Sequence, residues 1–218
     1  MRVRDVMTTM VVTATPEMSF QQLVDVMLRH GVSSVPIVDS EWRPIGIVTE
    51  ADLVAKEAFG ARRRLLDVAA AFAFRHENPW AEKARGLCAG AIMSAPARTV
   101  RPDDQLRLAA AQMLSFGVKR LPVVDDDGHL VGIVSRRDVL RVFHRGDDEI
   151  RLDVIRVLED PLLVPSDNTV TASVHDGVVV LHGGVSAASH VRLVDAMVRE
   201  VPGVVDVVCE MTVRPPTA

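Results

Sequence analysis

Gly46-Ile47-Val48-Thr49-Glu50-Ala51-Asp52 recurs as Gly132-Ile133-Val134-Ser135-Arg136-Arg137-Asp138, 86 residues further along the chain. Working outward, the same offset sets Met7 on Met93, Pro16 on Pro102, Gly31 on Gly117, Pro36 on Pro122 and Asp39 on Asp125, so residues 6–54 and 92–140 align without a gap. A duplication that keeps glycines and prolines in register is one structural module used twice. Two copies are too few for a solenoid. The pair is expected to pack face to face, with a cleft where the copies meet.

The module reads as strand, helix, strand, strand, helix. In the first copy Phe20, Leu23, Val24, Met27 and Leu28 recur at spacings of three and four, one face of a helix ended by Gly31. Val35-Pro36-Ile37-Val38 and Ile45-Gly46-Ile47-Val48 are short β-branched runs bounded by breakers, hence two buried strands. The intervening turn is stronger in the second copy, Asp125-Asp126-Asp127-Gly128, than Ser40-Glu41-Trp42-Arg43 in the first. Glu50 to Phe59 and Arg136 to His144 predict the closing helices, and Thr13 and Thr99 lead into the first strand of each copy. Expected boundaries are 1–60 for the first copy, 61–90 for a helical linker, 91–146 for the second copy and 147–218 for a further domain. Arg62-Arg63-Arg64 in the linker is read as a solvated turn, since adjacent residues point in different directions around a helix.

Composition bounds the function. With 218 residues, 48% hydrophobic and 25% charged, the chain can bury a core. No apolar run of signal-peptide or membrane-spanning length occurs, and the two cysteines, Cys88 and Cys209, suggest neither a disulfide framework nor a thiolate metal site. A reducing, cytoplasmic location is expected. Residues 1–146 hold 20 Lys+Arg against 17 Asp+Glu, and residues 147–218 hold 5 against 12. The first part suits a small anionic ligand and is too weakly basic for a nucleic-acid groove, while the acidic remainder repels DNA.

The heptapeptide carries the chemistry. Glycine lets backbone come close to another group, the hydroxyl of Thr49 or Ser135 stands at a helix N-terminus, and Asp52 or Asp138 follows one turn along. Unpaired N–H groups and the helix dipole favour a phosphate there, and a carboxylate can accept both hydroxyls of a ribose. The same hydroxyl-x-x-acid spacing is also a capping box, which needs no ligand. Capping does not require the preceding Gly-Ile-Val, nor Val35-Pro36 and Leu121-Pro122 at constant distance upstream, and these favour a ligand.

On these heptapeptides, the h-Pro-h-hydrophobic-Asp strands and the Met7-Thr8 and Met93-Ser94 starts, each copy resembles a CBS domain, and the tandem resembles a Bateman module. The resemblance implies an α+β fold: two β-α-β-β-α repeats packed as a pseudo-twofold pair, with clefts that take adenine nucleotides such as AMP or ATP, or related adenosyl ligands. It implies that Asp52 and Asp138 hold ribose hydroxyls, that Thr49 and Ser135 face phosphate, that backbone at Val35-Pro36 and Leu121-Pro122 receives the base, and that Thr13 and Thr99 line the clefts. It implies a homodimer as well. The copies differ in charge: Lys119-Arg120 replaces Ser33-Ser34, and Arg136-Arg137 replaces Glu50-Ala51. Charge-assisted contacts to phosphate are the stronger kind, so the cleft using Ser135, Asp138 and Lys119-Arg120 is predicted to be the better nucleotide site.

Beyond residue 146 a helix with Asp147 or Asp148 as cap is expected over Asp147–Leu158. Thr169–His175 and Val178–His182 alternate about Asp176-Gly177 and predict a hairpin, Val191–Val201 a helix, and Val204–Val213 a last strand. This α-β-β-α-β segment, with Val178-Val179-Val180-Leu181-His182-Gly183-Gly184 and Val201-Pro202-Gly203-Val204, resembles a BON domain. Its acidity argues against the membrane role associated with that family and for a docking or output role. His175 and His182 lie on the order of 13 Å apart on a hairpin, too far to share an ion, and no metal site is expected. No nucleophile with a base and no Walker-type loop is present, so an enzyme is not expected. The expected function is a regulatory protein that binds an adenine nucleotide and relays it to the last domain or a partner. The alternative is a ligand-independent dimerisation scaffold.

Overall fold

Ser19 and Gly31 bracket the first helix, α1 (Phe20–His30). The Ser19 hydroxyl accepts from the Gln22 amide while the Gln22 side chain accepts from the Ser19 amide at 2.9 Å, a complete capping box. Gly31 ends the helix at φ 60°, the left-handed conformation that costs glycine least. β1 (Ser34–Val38) and β2 (Pro44–Thr49) follow as an antiparallel hairpin, and α2 (Glu50–Phe59) closes the copy. The second copy holds α3 (Ala89–Ile92), α4 (Leu106–Ser115), the hairpin β3 (Arg120–Val124) with β4 (Leu130–Ser135), and α5 (Arg136–Arg141). This computed structural model describes residues 1–59, 83, 85–161, 164 and 169–213. The expected linker helix, with Arg62-Arg63-Arg64, lies outside the described residues. The chain divides into two compact units, residues 2–135 and residues 136–218.

Both hairpin turns are built alike. The Asp39 carboxylate accepts from the amides of Glu41 and Arg43, each at 2.9 Å, and Asp125 accepts from Asp127 and His129 at 3.0 and 2.8 Å. The second turn places Gly128 at φ 86°, and the first forces Trp42 to φ 63° at the matching position. A tryptophan there works against its own Cβ, which is the physical content of the weaker turn chemistry in the first copy.

The predicted leading strand of each copy is reduced to a single bridge, Ala14 to Ile37 and Val100 to Val123. Ala14 donates to the Pro36 carbonyl at 3.1 Å and accepts from Val38 at 2.9 Å, and Val100 repeats both contacts with Pro122 and Val124. Two residues on, Pro16 and Pro102 have no amide to offer, so the ladder stops.

The segments that precede these bridges cross over to the other copy. Thr8 pairs with Ile133 of β4, and Ser94, 86 residues on, pairs with Ile47 of β2. Arg2 pairs with Gln105, and Cys88 with Ser19. The Val3 amide donates to Asp104 and the Ala89 amide to Met18, at 2.9 and 2.8 Å. Every one of these contacts has its equivalent at the same offset, which is what a pseudo-twofold pair with exchanged leading segments requires. The exchange fills cores: Ala89 and Ile92 are buried in the first copy's cluster with Leu23, Met27, Val35, Ile37 and Val48. Ala89, expected in the linker, therefore packs in the first copy's core.

The second unit carries the α-β-β-α-β segment: α6 (Asp147–Leu158), β5 (Thr169–His175), β6 (Val178–Val185), α7 (Ala188–Arg199) and β7 (Asp206–Val213). The sheet order is β5-β6-β7, antiparallel across the hairpin and parallel between β6 and β7. Ile150, Val154, Val179, Leu181, Val194 and Val198 form its core, fully buried. Asp176 and Gly177 take φ 49° and 74°, as a two-residue turn with two left-handed positions needs. Gly146 stands at the start of α6 without a side-chain cap, and neither Asp147 nor Asp148 serves there. The Asp147 carboxylate instead accepts from the amides of Asp176 and Gly177, both at 2.9 Å, tying the hairpin turn to the helix. β7 begins at Asp206 rather than Val204, because Gly203 turns at φ 94° and Val204 packs into the core.

Candidate ligand-binding cleft

Within the first unit a cavity of about 350 Å3 opens between the copies. That volume is in the range of small-ligand sites, roughly 300–1,000 Å3. Its first wall is the β2–α2 junction with Thr49, Glu50 and Asp52, joined by Ser33 and Ser34 at the start of β1. Its second wall is Arg98 with Lys119, Arg120 and Leu121. Ser33-Ser34 and Lys119-Arg120 are equivalent positions of the duplication, and both line this one cavity.

Among the described residues Asp52 is the most enclosed acid, 2% exposed. One carboxylate oxygen accepts from both the amide and the hydroxyl of Thr49, each at 2.7 Å, and the other is ion-paired with Lys83. Lys83 also donates to the Ser94 hydroxyl at 2.7 Å. Of the capping box foreseen for the heptapeptide, the first copy shows the half in which the acid reaches back to the Thr49 amide, while the Thr49 hydroxyl donates to the acid instead of capping a helix amide. The Glu50 amide donates to the Ser33 carbonyl at 3.1 Å, so the first amide of α2 already has an acceptor. Positive charge for an anion comes from the opposite wall. Arg98 stacks on Phe116 with its guanidinium 3.6 Å from the ring centroid, which orients it, and Arg120 reaches across to donate to the Ser33 hydroxyl at 2.6 Å. Among the charged lining residues, three cations face Glu50 and the neutralised Asp52.

The structure regroups the predicted residues. Lys119, Arg120 and Leu121 share the cavity with Thr49 and Asp52, not with Ser135 and Asp138 as the charge reading expected. The cause is the pseudo-symmetry: the start of each second-copy strand faces the first copy. Ser135 ends β4, and Asp138, on α5 of the second unit, is 7% exposed and accepts from Arg141 at 3.2 Å. Val35, Pro36 and Pro122 are buried in their strands, Thr13 and Thr99 are partly buried, and none of the five lines the cavity. Sequence reasoning missed Lys83, Ser34 and Arg98. Lys83 gave no signal, being 31 residues from Asp52 in a charged linker. Arg98 stands beside Phe116 only after folding.

Two carboxylate–histidine groups, Asp125/Asp127/His129 and Asp147/His175/Asp176, come together at turns among the described residues. Asp147 commits both oxygens to turn amides and Asp125 commits one to two of them, a structural use. His175 and His182 take separate partners, Asp176 and Glu210. Among the described residues no helix is long and apolar enough to cross a membrane.

Comparison with known proteins agrees with this architecture. The CBS domain model matches residues 3–58 and 89–145, and the BON domain model matches residues 146–215. An uncharacterised protein of Methanopyrus kandleri is 36% identical over 132 residues, covering 61% of this chain and 57% of that protein. The chloroplastic CBS domain-containing protein CBSX2 of Arabidopsis thaliana is 30% identical over 132 residues, covering 58% and 56%. The chain thus spans little more than half the length of these curated relatives. Among solved structures, CBSX2 in complex with AMP superposes with a TM-score of 0.53 at 27% identity, covering 64% of this chain and 94% of that one. The CBS domain pair of a protein in complex with 5′-methylthioadenosine and S-adenosyl-L-methionine has a TM-score of 0.50 at 24% identity, covering 66% and 96%, a likeness of fold. With both halves of the duplication matched, over more than half of its length, the chain belongs to the CBS-domain family, as a CBS pair followed by a BON domain.

Proposed function

We propose that the CBS pair is a sensor of adenine nucleotide, binding AMP or ATP in the cleft between the copies, and that occupancy alters what the BON domain or a partner protein contacts. The observation that carries this reading is the composite cavity. A buried acid able to hold ribose hydroxyls lies on one wall, and Arg98, Lys119 and Arg120 supply cations for phosphate on the other. The AMP complex of CBSX2 supports the ligand class. The same three cations disfavour the sulfonium of S-adenosylmethionine. Nothing in the reading calls for catalysis: the cleft offers binding groups, and the regulatory role requires a nucleotide affinity that differs between two states.

A second reading is a ligand-independent scaffold. The Thr49–Asp52 contacts and the Lys83 ion pair favour it, because they satisfy the acid without any ligand. A thermal-shift panel of AMP, ADP, ATP, S-adenosylmethionine and NAD on the full chain separates the two. A ligand that binds only the native state raises its melting temperature, by about 2.7 kcal/mol of stabilisation at a hundredfold excess over Kd. AMP or ATP is expected to shift the transition and S-adenosylmethionine to leave it in place. A flat panel would leave the scaffold.

Self-association belongs to the same proposal. Leu28 and Leu114, equivalent in the duplication, are 77% and 74% exposed on α1 and α4, and Val54 and Leu140 repeat the pattern on α2 and α5. Apolar side chains left in water at symmetric positions fit a homodimer face.

A further inference from the structure

Ser34 opens β1 with a hydroxyl that the fold does not use. The residue is 4% exposed, and among the described residues none hydrogen-bonds its Oγ. Buried hydroxyls are almost always paired, so an orphan calls for a partner the protein alone does not supply. Ser34 also lines the cavity. In the hairpin register it stands directly opposite Thr49, and directly opposed residues carry their side chains on the same face. The Thr49 hydroxyl is committed to Asp52, so Ser34 presents the uncommitted hydroxyl of that wall. Its neighbour Ser33 already accepts from Arg120. At the equivalent position the second copy has Arg120, so this hydroxyl belongs to one wall only.

We infer that the Ser34 hydroxyl is a ligand contact, hydrogen-bonding the nucleoside part of an adenosine-containing ligand held against Thr49 and Asp52. The inference rests on the adenine-nucleotide reading of the cleft. The nucleoside is assigned, rather than the phosphate, because Ser34 is neutral and shares its wall with a carboxylate, whereas the cations that suit a phosphate stand opposite. The strand itself has no need of the hydroxyl. β1 is buried throughout, its neighbours Val35, Pro36, Ile37 and Val38 are apolar, and an alanine at 34 would remove an unpaired polar group.

The test is Ser34→Ala in the full chain, with calorimetric titration of adenosine and of AMP and a melting curve without ligand. The variant is expected to melt no lower than the wild type and to bind both ligands about fivefold to tenfold more weakly, the worth of one hydrogen bond. Binding of both within about twofold of wild type would overturn the inference, since a tenfold change is what about 1.4 kcal/mol produces. Two other results would overturn it: a loss confined to AMP, which would place the hydroxyl at the phosphate, and a melting temperature that falls with the affinity, which would make the residue structural. If the wild type binds neither adenosine nor AMP, the adenine-nucleotide reading itself fails, a result distinct from wild-type binding that Ser34→Ala leaves unchanged.

Discussion

A Cβ built on Gly46 would lie 2.5 Å from Met93 Sδ, and one on Gly132 would lie 2.7 Å from Met7 Sδ. The repeated glycine of the heptapeptide is therefore held open for a methionine of the other copy. The sequence announces that some group must approach closely, since glycine precedes a β-branched pair in both copies. It does not announce which group, because Met7 and Gly132 are 125 residues apart. Gly46→Ala is expected to destabilise the first unit by about 1–3 kcal/mol, the usual cost of overpacking. Combined with Met93→Ala, the total should fall short of the sum of the two single changes, because the shortened side chain removes the clash. Urea denaturation of the two single variants and the double variant checks this, and strict additivity would count against the contact.

At the scale of elements, the turns and caps were legible because they are local. Gly31, Asp176-Gly177 and the β1–β2 and β3–β4 hairpins all lie where spacing and breakers put them. The leading strands were over-read, since Ala14 and Val100 make one bridge each before proline ends the ladder. Asp147 was misassigned for a related reason: an acid at a helix start reads as a cap, and its true partners, Asp176 and Gly177, come some 30 residues later. The β3–β4 turn also has a pH signature. The Asp125 carboxyl is held below its ordinary range first by the His129 backbone amide, with the charge on the His129 ring and the Asp127 amide adding to the effect. A carboxyl whose folded pKa is depressed adds stability above its unfolded value and loses it as pH falls through the folded one. Asp125→Asn keeps an acceptor for the two amides and cannot titrate, so its melting temperature should fall less than that of wild type below about pH 4. Parallel melting curves from neutral to acid pH measure the difference, and identical acid limbs would remove Asp125 from the account.

Over the whole molecule, periodicity and the fixed offset were enough to read a duplicated module and a separate three-stranded domain. The distribution of charge between the copies was also visible. Which heptapeptide those charges serve was not, because Arg98, Lys119 and Arg120 meet Thr49 and Asp52 only through the pseudo-twofold packing. Symmetry also supports the proposed dimer. Leu28→Glu together with Leu114→Glu is expected to lower the mass of the full chain in solution from two copies to one. Light scattering on both proteins decides it, and a wild type that is already monomeric would dispose of the dimer. The variant is expected to keep its response to AMP, since neither leucine lines the cleft.

The reciprocal bridges, Thr8 to Ile133 and Ser94 to Ile47, bear on how such a chain can change over generations. Neither half is a closed structure, for each lends its opening stretch to its sibling and borrows the sibling's in return. A third half added in tandem would find no hairpin free to receive its opening stretch and would leave its own hairpin unclasped. Growth of this architecture by gene duplication is thus expected to proceed in even steps. A protease cut between the halves should leave two pieces that travel together through a sizing column.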